Sequence, residues 1–192
     1  MADSNFKEDD SILVLDAGPL IGGINPNILN DMCFTTSEII NEVRNKRSRR
    51  KIENILYSNS LIVMEPKSEN ISKINAIAGD TGDLKSLSDA DIGIIALAYE
   101  LMVKFSEDTS IPQNDAPLKF LTDDYSLQNV ARKCGIHAKS YRSRGIRTYI
   151  QWETYCPSCY RTYDSTRFGT PCSVCGDRLK RRKKKKRKKG KR

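Results

Sequence analysis

Four cysteines near the C-terminus form two closely spaced pairs, Cys156-Pro-Ser-Cys159 and Cys172-Ser-Val-Cys175. Two such pairs, separated by twelve residues, are typical of a zinc ribbon, in which four thiolates surround one Zn²⁺ tetrahedrally. A shell of four thiolates leaves no position open for water or substrate, so the expected ion is structural rather than catalytic. The alternative is a pair of disulfides. No signal peptide precedes Asp16, however, and an intracellular chain with reduced thiols is expected.

A second group of residues suited to chemistry consists of acids. They follow predicted strands or lie within predicted helices, and they are Asp16, Glu42, Asp91, Asp123 and Asp124. Carboxylates gathered at one place repel one another unless a cation compensates them, and hard oxygen ligands suit Mg²⁺ or Mn²⁺. One or two such ions could activate water for phosphodiester hydrolysis, a reaction that needs no histidine. Each acid also has a structural interpretation, as an acceptor at a strand end, a helix cap or a solvated charge.

The elements that must position these acids alternate between strands and helices. Short apolar runs predict strands over residues 12–15, 61–64, 118–121 and 136–138. Capping residues and helical periodicity predict helices over residues 37–43, 49–57, 88–105 and 125–134. This alternation predicts an α/β fold, a parallel sheet flanked by helices. Because active sites in such sheets lie beyond the carboxyl ends of the strands, the acids are expected to meet there.

The charge of the chain is distributed very unevenly. The net charge is +9, but residues 180–192 hold twelve of the 33 Lys and Arg, which leaves 21 basic against 24 acidic residues elsewhere. So basic a tail is expected to be disordered and to attract the phosphates of nucleic acid. A solubilising or targeting segment, or one for an anionic membrane, is the alternative. No run of eighteen apolar residues is present, so no membrane span is predicted.

Composition and motifs together predict five segments along the chain. They are a disordered N-terminus over residues 1–10, an α/β domain that carries the acids over 11–139, a basic linker over 140–148, a zinc ribbon over 149–179 and a disordered basic tail over 180–192.

Four stretches of the sequence resemble a PIN domain, a nuclease fold with a cluster of acidic metal ligands: VLDAGPLI, TTSEIINEVR, LSDADIGIIALAYEL and FLTDDYSLQNVA. Followed by a basic linker and IQWETYCPSC, they make residues 11–179 similar to the Nin-one-binding protein family. The resemblance implies an endonuclease that matures the 3′ end of small-subunit ribosomal RNA.

The resemblance also implies roles for individual acids. The expected catalytic metal ligands are Asp16, Glu42, Asp91 and Asp124. Asp124 is preferred over Asp123 because it occupies the Asp of the family's Thr-x-Asp pattern, which begins at Thr122. Asp89 and Asp123 are second-tier acidic candidates. Many PIN domains carry Ser or Thr where this chain has Gly18, so a hydroxyl that could orient the first acid is missing at that position.

Basic residues near these acids are candidates for contact with RNA phosphates. One cluster has six basic residues in eight positions: Arg44, Lys46, Arg47, Arg49, Arg50 and Lys51. The linker adds Arg142, Arg144 and Arg147, and the ribbon adds Arg161 and Arg167. A solvated basic helix face is the alternative for any one of them. Trp152 is expected in the core of the ribbon rather than as a stacking platform for bases.

The predicted function is that of a metal-dependent endoribonuclease that cleaves single-stranded precursor ribosomal RNA. Its expected partners are ribosomal RNA, the pre-small ribosomal subunit and a KH-domain assembly factor, in the cytoplasm and without a membrane. Three alternatives stay open: a non-catalytic RNA-binding assembly factor, a toxin-type PIN ribonuclease, and a zinc-ribbon transcription or translation factor.

Overall fold

A five-stranded parallel sheet is the centre of the larger part of the molecule. The computed structural model describes residues 12–23, 32–106, 118–142 and 145–184. The strands of the sheet are β1 (Ile12–Leu15), β2 (Met32–Thr35), β3 (Leu61–Val63), β4 (Leu118–Leu121) and β5 (His137–Lys139). Their spatial order is β3-β2-β1-β4-β5, and every neighbouring pair is parallel. Strand β1 therefore lies in the middle, and all four of its residues are buried.

Helices cover the sheet and complete this α/β part, by which we mean the described residues up to 142. They are α1 (Ala17–Gly22), α2 (Ser37–Glu42), α3 (Lys46–Tyr57), α4 (Ser68–Thr81), α5 (Asp89–Ser106) and α6 (Tyr125–Lys133). Helix α5 is buried on most of its faces, from Ala90 to Leu101, because it packs among α2, α4, α6 and the sheet. The predicted fold class is thereby confirmed. No helix within the described ranges is long and apolar enough to cross a lipid bilayer.

The register of the strands brings several chain segments to one edge of the sheet. Leu15, the last residue of β1, pairs with Leu121, the last residue of β4, and the N–H of Asp16 donates to the Leu121 carbonyl at 3.1 Å. The N–H of Thr122 donates in the same way to Lys139, the last residue of β5. The segments that follow β1, β4 and β5 therefore leave the sheet side by side, as expected for carboxyl ends of parallel strands.

Strand β2 and helices α1 and α4 were not predicted from the sequence, and each lacks the usual local signals. Helix α1 contains Gly18 and Pro19, and glycine disfavours helix while proline is tolerated only in the first turn. Helix α4 begins after Lys67, whose side chain makes no capping hydrogen bond, so its start carries no recognisable cap. Strand β2 spans only four residues between segments without strand character.

A second, antiparallel sheet of three strands forms the cysteine ribbon, the described residues from 151 onward. Its strands are β6 (Trp152–Tyr155), β7 (Thr162–Tyr163) and β8 (Lys180–Lys183), in the order β7-β6-β8. The prediction that the disordered tail begins at residue 180 is therefore wrong for Lys180–Lys183. Arg182 pairs with Glu153 at 2.8 Å and its guanidinium stacks over Tyr155. Such contacts hold this charged strand in the sheet, although its charge pattern alone predicts a solvated segment.

The remaining predicted termini, residues 1–10 and the tail from 185 to 192, lie outside the described residues. Between the two sheets, the predicted linker is held against helix α6. The side chain of Gln128 accepts a hydrogen bond from the N–H of Ile146 at 2.8 Å, and Asn129 accepts one from the N–H of Ile150. The exact boundaries of the predicted domains stay predictions, but the described linker residues are tied to the α/β part by directed hydrogen bonds.

Candidate active site

Asp16 is the most buried of the predicted catalytic acids. It follows β1 and caps helix α1, with Oδ1 accepting the N–H of Ala17 at 2.6 Å. Oδ2 accepts the hydroxyl of Thr122 at 2.7 Å, and the residue is only 7% exposed. Burial raises the pKa of Asp16 to about 6; the hydrogen bonds from Thr122 and Ala17 oppose that rise, and the charges of Asp91 and Asp124 add to it. The chain thus holds a carboxylate where its ionised form is disfavoured.

Asp124 lies beside Asp16 because the same threonine contacts both residues. It is the N-cap of α6, and Oδ1 accepts the N–H groups of Ser126 and Leu127 at 2.6 and 3.2 Å. Its own N–H donates to Thr122 Oγ1 at 3.1 Å, while that hydroxyl donates to Asp16. Asp124 is exposed, so its carboxylate reaches solvent. The Thr-x-Asp pattern therefore places its Asp at the end of β4 and its Thr between two acids.

Asp91 comes to the same edge from the first turn of α5. Its Oδ2 accepts both the N–H and the hydroxyl of Ser88, at 2.8 and 2.9 Å, and its own N–H donates to Ser88 Oγ. This reciprocal arrangement is a capping box, which starts a helix reliably. The predicted capping role of Ser88 is confirmed, and the capping box fixes Asp91 at the amino end of the buried helix.

Glu42 completes the set from the last turn of α2, where its side chain is exposed. The pKa of Glu42 is raised by burial first, and then by the charges of Asp91 and Glu38. Asp91 therefore interacts with both Glu42 and Asp16, and Asp16 in turn interacts with Asp124. The structure brings the four predicted catalytic acids into one electrostatically connected group at the carboxyl edge of the sheet.

This acidic group can bind hard cations. Four carboxylates at one edge, two of them with raised pKa values, provide the oxygen donors that Mg²⁺ and Mn²⁺ prefer, and a cation would offset their repulsion. Within the described residues the acids are not drawn together as tightly as the four cysteines of the ribbon, and three of them accept hydrogen bonds at helix starts.

The two second-tier acids occupy different surroundings. Asp89 is exposed at the first position of α5. Asp123 turns toward the chain after β5, where Oδ1 accepts hydrogen bonds from Ser140 Oγ and from the N–H groups of Tyr141 and Arg142. Although partial burial acts to raise it, those hydrogen bonds hold the pKa of Asp123 below its usual range. Asp123 thus fixes the start of the linker.

Two residues that face the site were not predicted. Thr122 was noted only as a marker for Asp124, yet its hydroxyl orients Asp16, the role expected of a residue at position 18. A Cβ at Gly18 would meet no atom within 4 Å, so the space beside this glycine is open. Glu38 was also passed over. Its spacing of four residues from Glu42 on one helix was the available signal.

The four cysteines form the second candidate site. The Sγ atoms of Cys156 and Cys175 lie 3.3 Å apart and those of Cys159 and Cys172 lie 3.6 Å apart. A disulfide bond measures about 2.05 Å, so the disulfide alternative is wrong, and all four thiols are free. All four Sγ atoms lie within 4.8 Å of one another, whereas sulfurs around one tetrahedral Zn²⁺ would be about 3.8 Å apart. The predicted cysteines therefore form a compact group that can hold a metal ion.

Neighbouring groups support these thiols. The Tyr163 hydroxyl lies 2.9 Å from Sγ of Cys172, and this hydrogen bond lowers the pKa of the Cys172 thiol to about 5. Within each cysteine pair a backbone N–H also donates to sulfur: that of Cys159 to Sγ of Cys156, and that of Val174 to Sγ of Cys172. Such contacts stabilise thiolates, the form in which cysteine binds metals.

The predicted RNA-contacting residues fall on several surfaces. The first cluster runs from Arg44 into helix α3, and all six of its basic residues are exposed. Arg142, Arg147 and Arg161 are exposed as well, whereas Arg144 lies outside the described residues. Arg167 is half-buried, stacks over Tyr163 and reaches the carbonyl of Pro171, so it supports the ribbon itself.

A parallel α/β fold with acids at the carboxyl edge of its sheet defines the class of PIN-domain nucleases. The family model described as "PIN domain of ribonuclease" matches residues 13–101. "Endoribonuclease Nob1" of Pyrococcus abyssi is 32% identical over 168 residues, 88% of this chain and 91% of its own. The chain therefore belongs to the Nob1 family of PIN-domain endoribonucleases, which confirms the resemblance noted in the sequence.

Two further relatives differ in name and in extent. "Ribonuclease VapC1" of Thermoplasma acidophilum is 29% identical over 170 residues, 88% of this chain and 77% of its own. The "20S-pre-rRNA D-site endonuclease nob1" of Schizosaccharomyces pombe is 39% identical over 97 residues, which cover 49% of this chain and 24% of its own.

Proposed function

We propose that this protein is a metal-dependent endoribonuclease that cleaves single-stranded precursor small-subunit ribosomal RNA at its 3′ end. The observation that carries the proposal is the connected acidic group, in which Thr122 joins Asp16 to Asp124 and Asp91 links Asp16 to Glu42. The ribosomal substrate comes from the name of the fission-yeast relative, and the ribonuclease activity from the family.

Four side chains would hold one or two Mg²⁺ or Mn²⁺ ions: Asp16, Glu42, Asp91 and Asp124. Such ions, when bound, activate a water for in-line attack and stabilise the leaving oxygen, giving 5′-phosphate and 3′-hydroxyl ends. The chain's own contribution is orientation. Thr122 fixes the rotamer of Asp16, Ser88 fixes that of Asp91, and the amino end of α6 fixes that of Asp124. These hydrogen bonds hold the acids at one edge of the sheet, and binding of an ion would draw their carboxylates closer together.

The ribbon holds one structural Zn²⁺ in this proposal. The four sulfurs lie within 4.8 Å of one another, and no His, Asp or Glu joins them among the residues that the structure describes, which fits a closed tetrahedral shell. Closure of the ribbon core, formed by Leu179 together with the buried Cys156 and Cys172, would then depend on the ion, because this core is very small.

The basic surfaces hold the RNA. The exposed basic side chains that run from Arg44 into α3 begin two residues after Glu42, so phosphates flanking the cut can be held beside the acids. The pre-small ribosomal subunit is the larger partner, a KH-domain assembly factor presents the RNA, and the compartment is the cytoplasm. Of the two second-tier acids, Asp123 acts behind the catalytic acids by fixing the chain that carries Arg142, whereas exposed Asp89 contributes little to the reaction.

The test is cleavage of a short RNA that spans the 3′ end of small-subunit precursor RNA, with and without added Mn²⁺. A single cut that requires the cation and disappears in Asp16→Asn is expected. Asp89→Asn is the matched control, because Asp89 is an exposed acid near the same edge, and it should retain most of the activity. Binding without cleavage in the wild type under every condition would favour the non-catalytic assembly factor.

The remaining alternatives separate on substrate. A toxin-type PIN ribonuclease is kept as a second candidate because one relative carries the general name ribonuclease. Cleavage of transfer or messenger RNA in preference to the ribosomal precursor would establish it. A zinc-ribbon transcription or translation factor would show neither cleavage nor a dependence on Asp16.

A further inference from the structure

A cavity of about 290 Å³ lies where the α/β part meets the cysteine ribbon. Its walls come from the start of helix α6, the segment after residue 145, and strands β6 and β8. Tyr125, Ile146, Ile150 and Trp152 supply most of its apolar lining, and Arg181 and Asn129 supply polar groups. We call this cavity the junction cleft.

The junction cleft adjoins the acidic site through consecutive residues. Tyr125 and Ser126 line the cleft and directly follow Asp124. The N–H of Ser126 donates to the carboxylate of Asp124 at 2.6 Å, so one turn of chain serves both places. A strand of RNA with a phosphate at the acids would therefore present its neighbouring nucleotide to the cleft.

The polar side chains of the cleft differ in how many of their hydrogen-bonding groups already have partners within the protein. Asn129 is buried and bonds to Asp83 and to both backbone groups of Ile150, so it holds the cleft together. Arg181 donates through Nη1 to Asp83 and Ser86, and its guanidinium lies over Trp152 at 4.8 Å. A guanidinium has five N–H donors, so the described contacts leave it capacity for an acceptor on a ligand.

Tyr125 is the exposed aromatic of the cleft. It is 58% exposed although it is the first residue of a helix that otherwise buries its next apolar positions. Exposed rings beside a phosphodiester site provide stacking surfaces for unpaired bases, and arginine planes do the same.

We propose that the junction cleft binds one unpaired nucleobase of the RNA strand that is cut at the acidic site. The proposal rests on the proposed function for the identity of the strand. The cleft's volume lies at the lower end of the range for small-ligand pockets, which suits a single base. Tyr125 and Trp152 supply aromatic surface, and Arg181 supplies donors for a base carbonyl or ring nitrogen.

Trp152 makes the inference directly measurable because it is the only tryptophan of the chain. The zinc-loaded full-length protein is titrated, without added divalent cation, with a labelled single-stranded RNA that spans the proposed cut. Anisotropy of the label reports binding, and tryptophan fluorescence reports occupancy of the cleft. Bound RNA is expected to change the emission of Trp152.

The decisive comparison combines protein variants with abasic RNA. Tyr125→Ala is expected to weaken binding roughly tenfold, as loss of one stacked base does. One abasic position should cost wild-type protein a similar factor and should cost Tyr125→Ala almost nothing. Tyr125→Phe keeps the ring and should bind as wild type. Tyr57→Ala, which removes a 93% exposed tyrosine at the end of α3, is the matched control and should also bind normally.

The outcomes separate this inference from the proposed function. Two results would overturn the base site while cleavage still supports the nuclease. One is unchanged tryptophan emission on RNA binding, and the other is a loss of affinity for abasic RNA that is the same in wild type and Tyr125→Ala. Coupled penalties without cleavage support the base site and count against the nuclease. RNA that fails to bind at all overturns the base site as well.

Discussion

The hydroxyl of Thr122 donates a 2.7 Å hydrogen bond to the buried carboxylate of Asp16, across 106 residues of sequence. The same oxygen accepts the N–H of Asp124 at 3.1 Å. Two acids from neighbouring strands are thus set relative to one another by a single side chain, which is itself fully buried. The geometry of the site depends on this threonine as much as on the acids.

Removal of that hydroxyl should damage activity more than folding. We expect Thr122→Val to lower cleavage by about tenfold to a hundredfold, because Asp16 loses its fixed rotamer and a buried hydrogen bond worth about 1–3 kcal/mol to a charged group. The hydroxyl also holds down the pKa of Asp16, so the acidic limb of the pH–rate profile should move to higher pH. Thr122→Ser should restore both values, and an unshifted profile in Thr122→Val would contradict the proposed contact.

Asp16 should destabilise the metal-free protein at neutral pH. Its pKa is about 6 in the folded chain against an ordinary 3.8, so the folded state binds the proton more tightly than the unfolded state. The contribution of Asp16 to the free energy of unfolding should therefore fall as pH rises from about 4 to 7, and Asp16→Asn should raise that free energy at pH 7 by about 1–3 kcal/mol.

Urea denaturation at pH 5 and pH 7, without divalent cation, measures this effect. Asp16→Asn should flatten the difference between the two pH values while abolishing cleavage, whereas exposed Asp89→Asn should change neither. A destabilised Asp16→Asn protein at pH 7 would show that the ionised carboxylate stabilises the fold, which would contradict the prediction.

The ribbon should contain one metal ion per chain. We expect one zinc by mass spectrometry of the native protein, and its loss in Cys172→Ser, because Cys172 contributes one of four converging thiols. Cys134→Ser is the matched control, since that half-buried thiol lies at the end of α6 outside the group. An unchanged zinc content in Cys172→Ser would contradict a four-thiolate site.

The junction between the two sheets should depend on Asn129. Asn129→Ala removes hydrogen bonds to buried Asp83 and to both backbone groups of Ile150, and should cost about 2–4 kcal/mol. Faster amide exchange at Ile150 is the specific readout. Glu53→Ala, an exposed change on helix α3, should leave that exchange rate unaltered.

The sequence was most informative where local signals and chemistry coincide. Ile12–Leu15 is a buried run followed directly by an acid, and the Ser88 capping box starts a long apolar helix, so both were predicted together with their site residues. Neither β2 nor α4 carries such a signal, because tertiary packing rather than capping or composition fixes them.

Contacts between distant segments were the harder part. Thr122 was visible in its motif, but its partnership with Asp16 depends on which strands are neighbours. From its charge, Arg181 was expected to lie in solvent. Its contacts with Trp152, Asp83 and Ser86 instead make it part of the junction. Side chains with both apolar and charged portions cannot be assigned simply as buried or exposed from the sequence.

Three of the four acids proposed as catalytic also stabilise the starts of helices. Asp16 caps α1, Asp91 closes the capping box of α5, and Asp124 caps α6. Selection on folding therefore acts on these positions whether or not the chain cuts RNA. At the N-cap positions of Asp16 and Asp124, descendants that abandon the chemistry are expected to drift toward Asn, Ser or Thr and to avoid Ala. At Asp91, the third residue of its helix, Glu or Gln would keep the capping box. Among relatives, a replacement that keeps the helix cap would then indicate loss of catalysis with the fold retained.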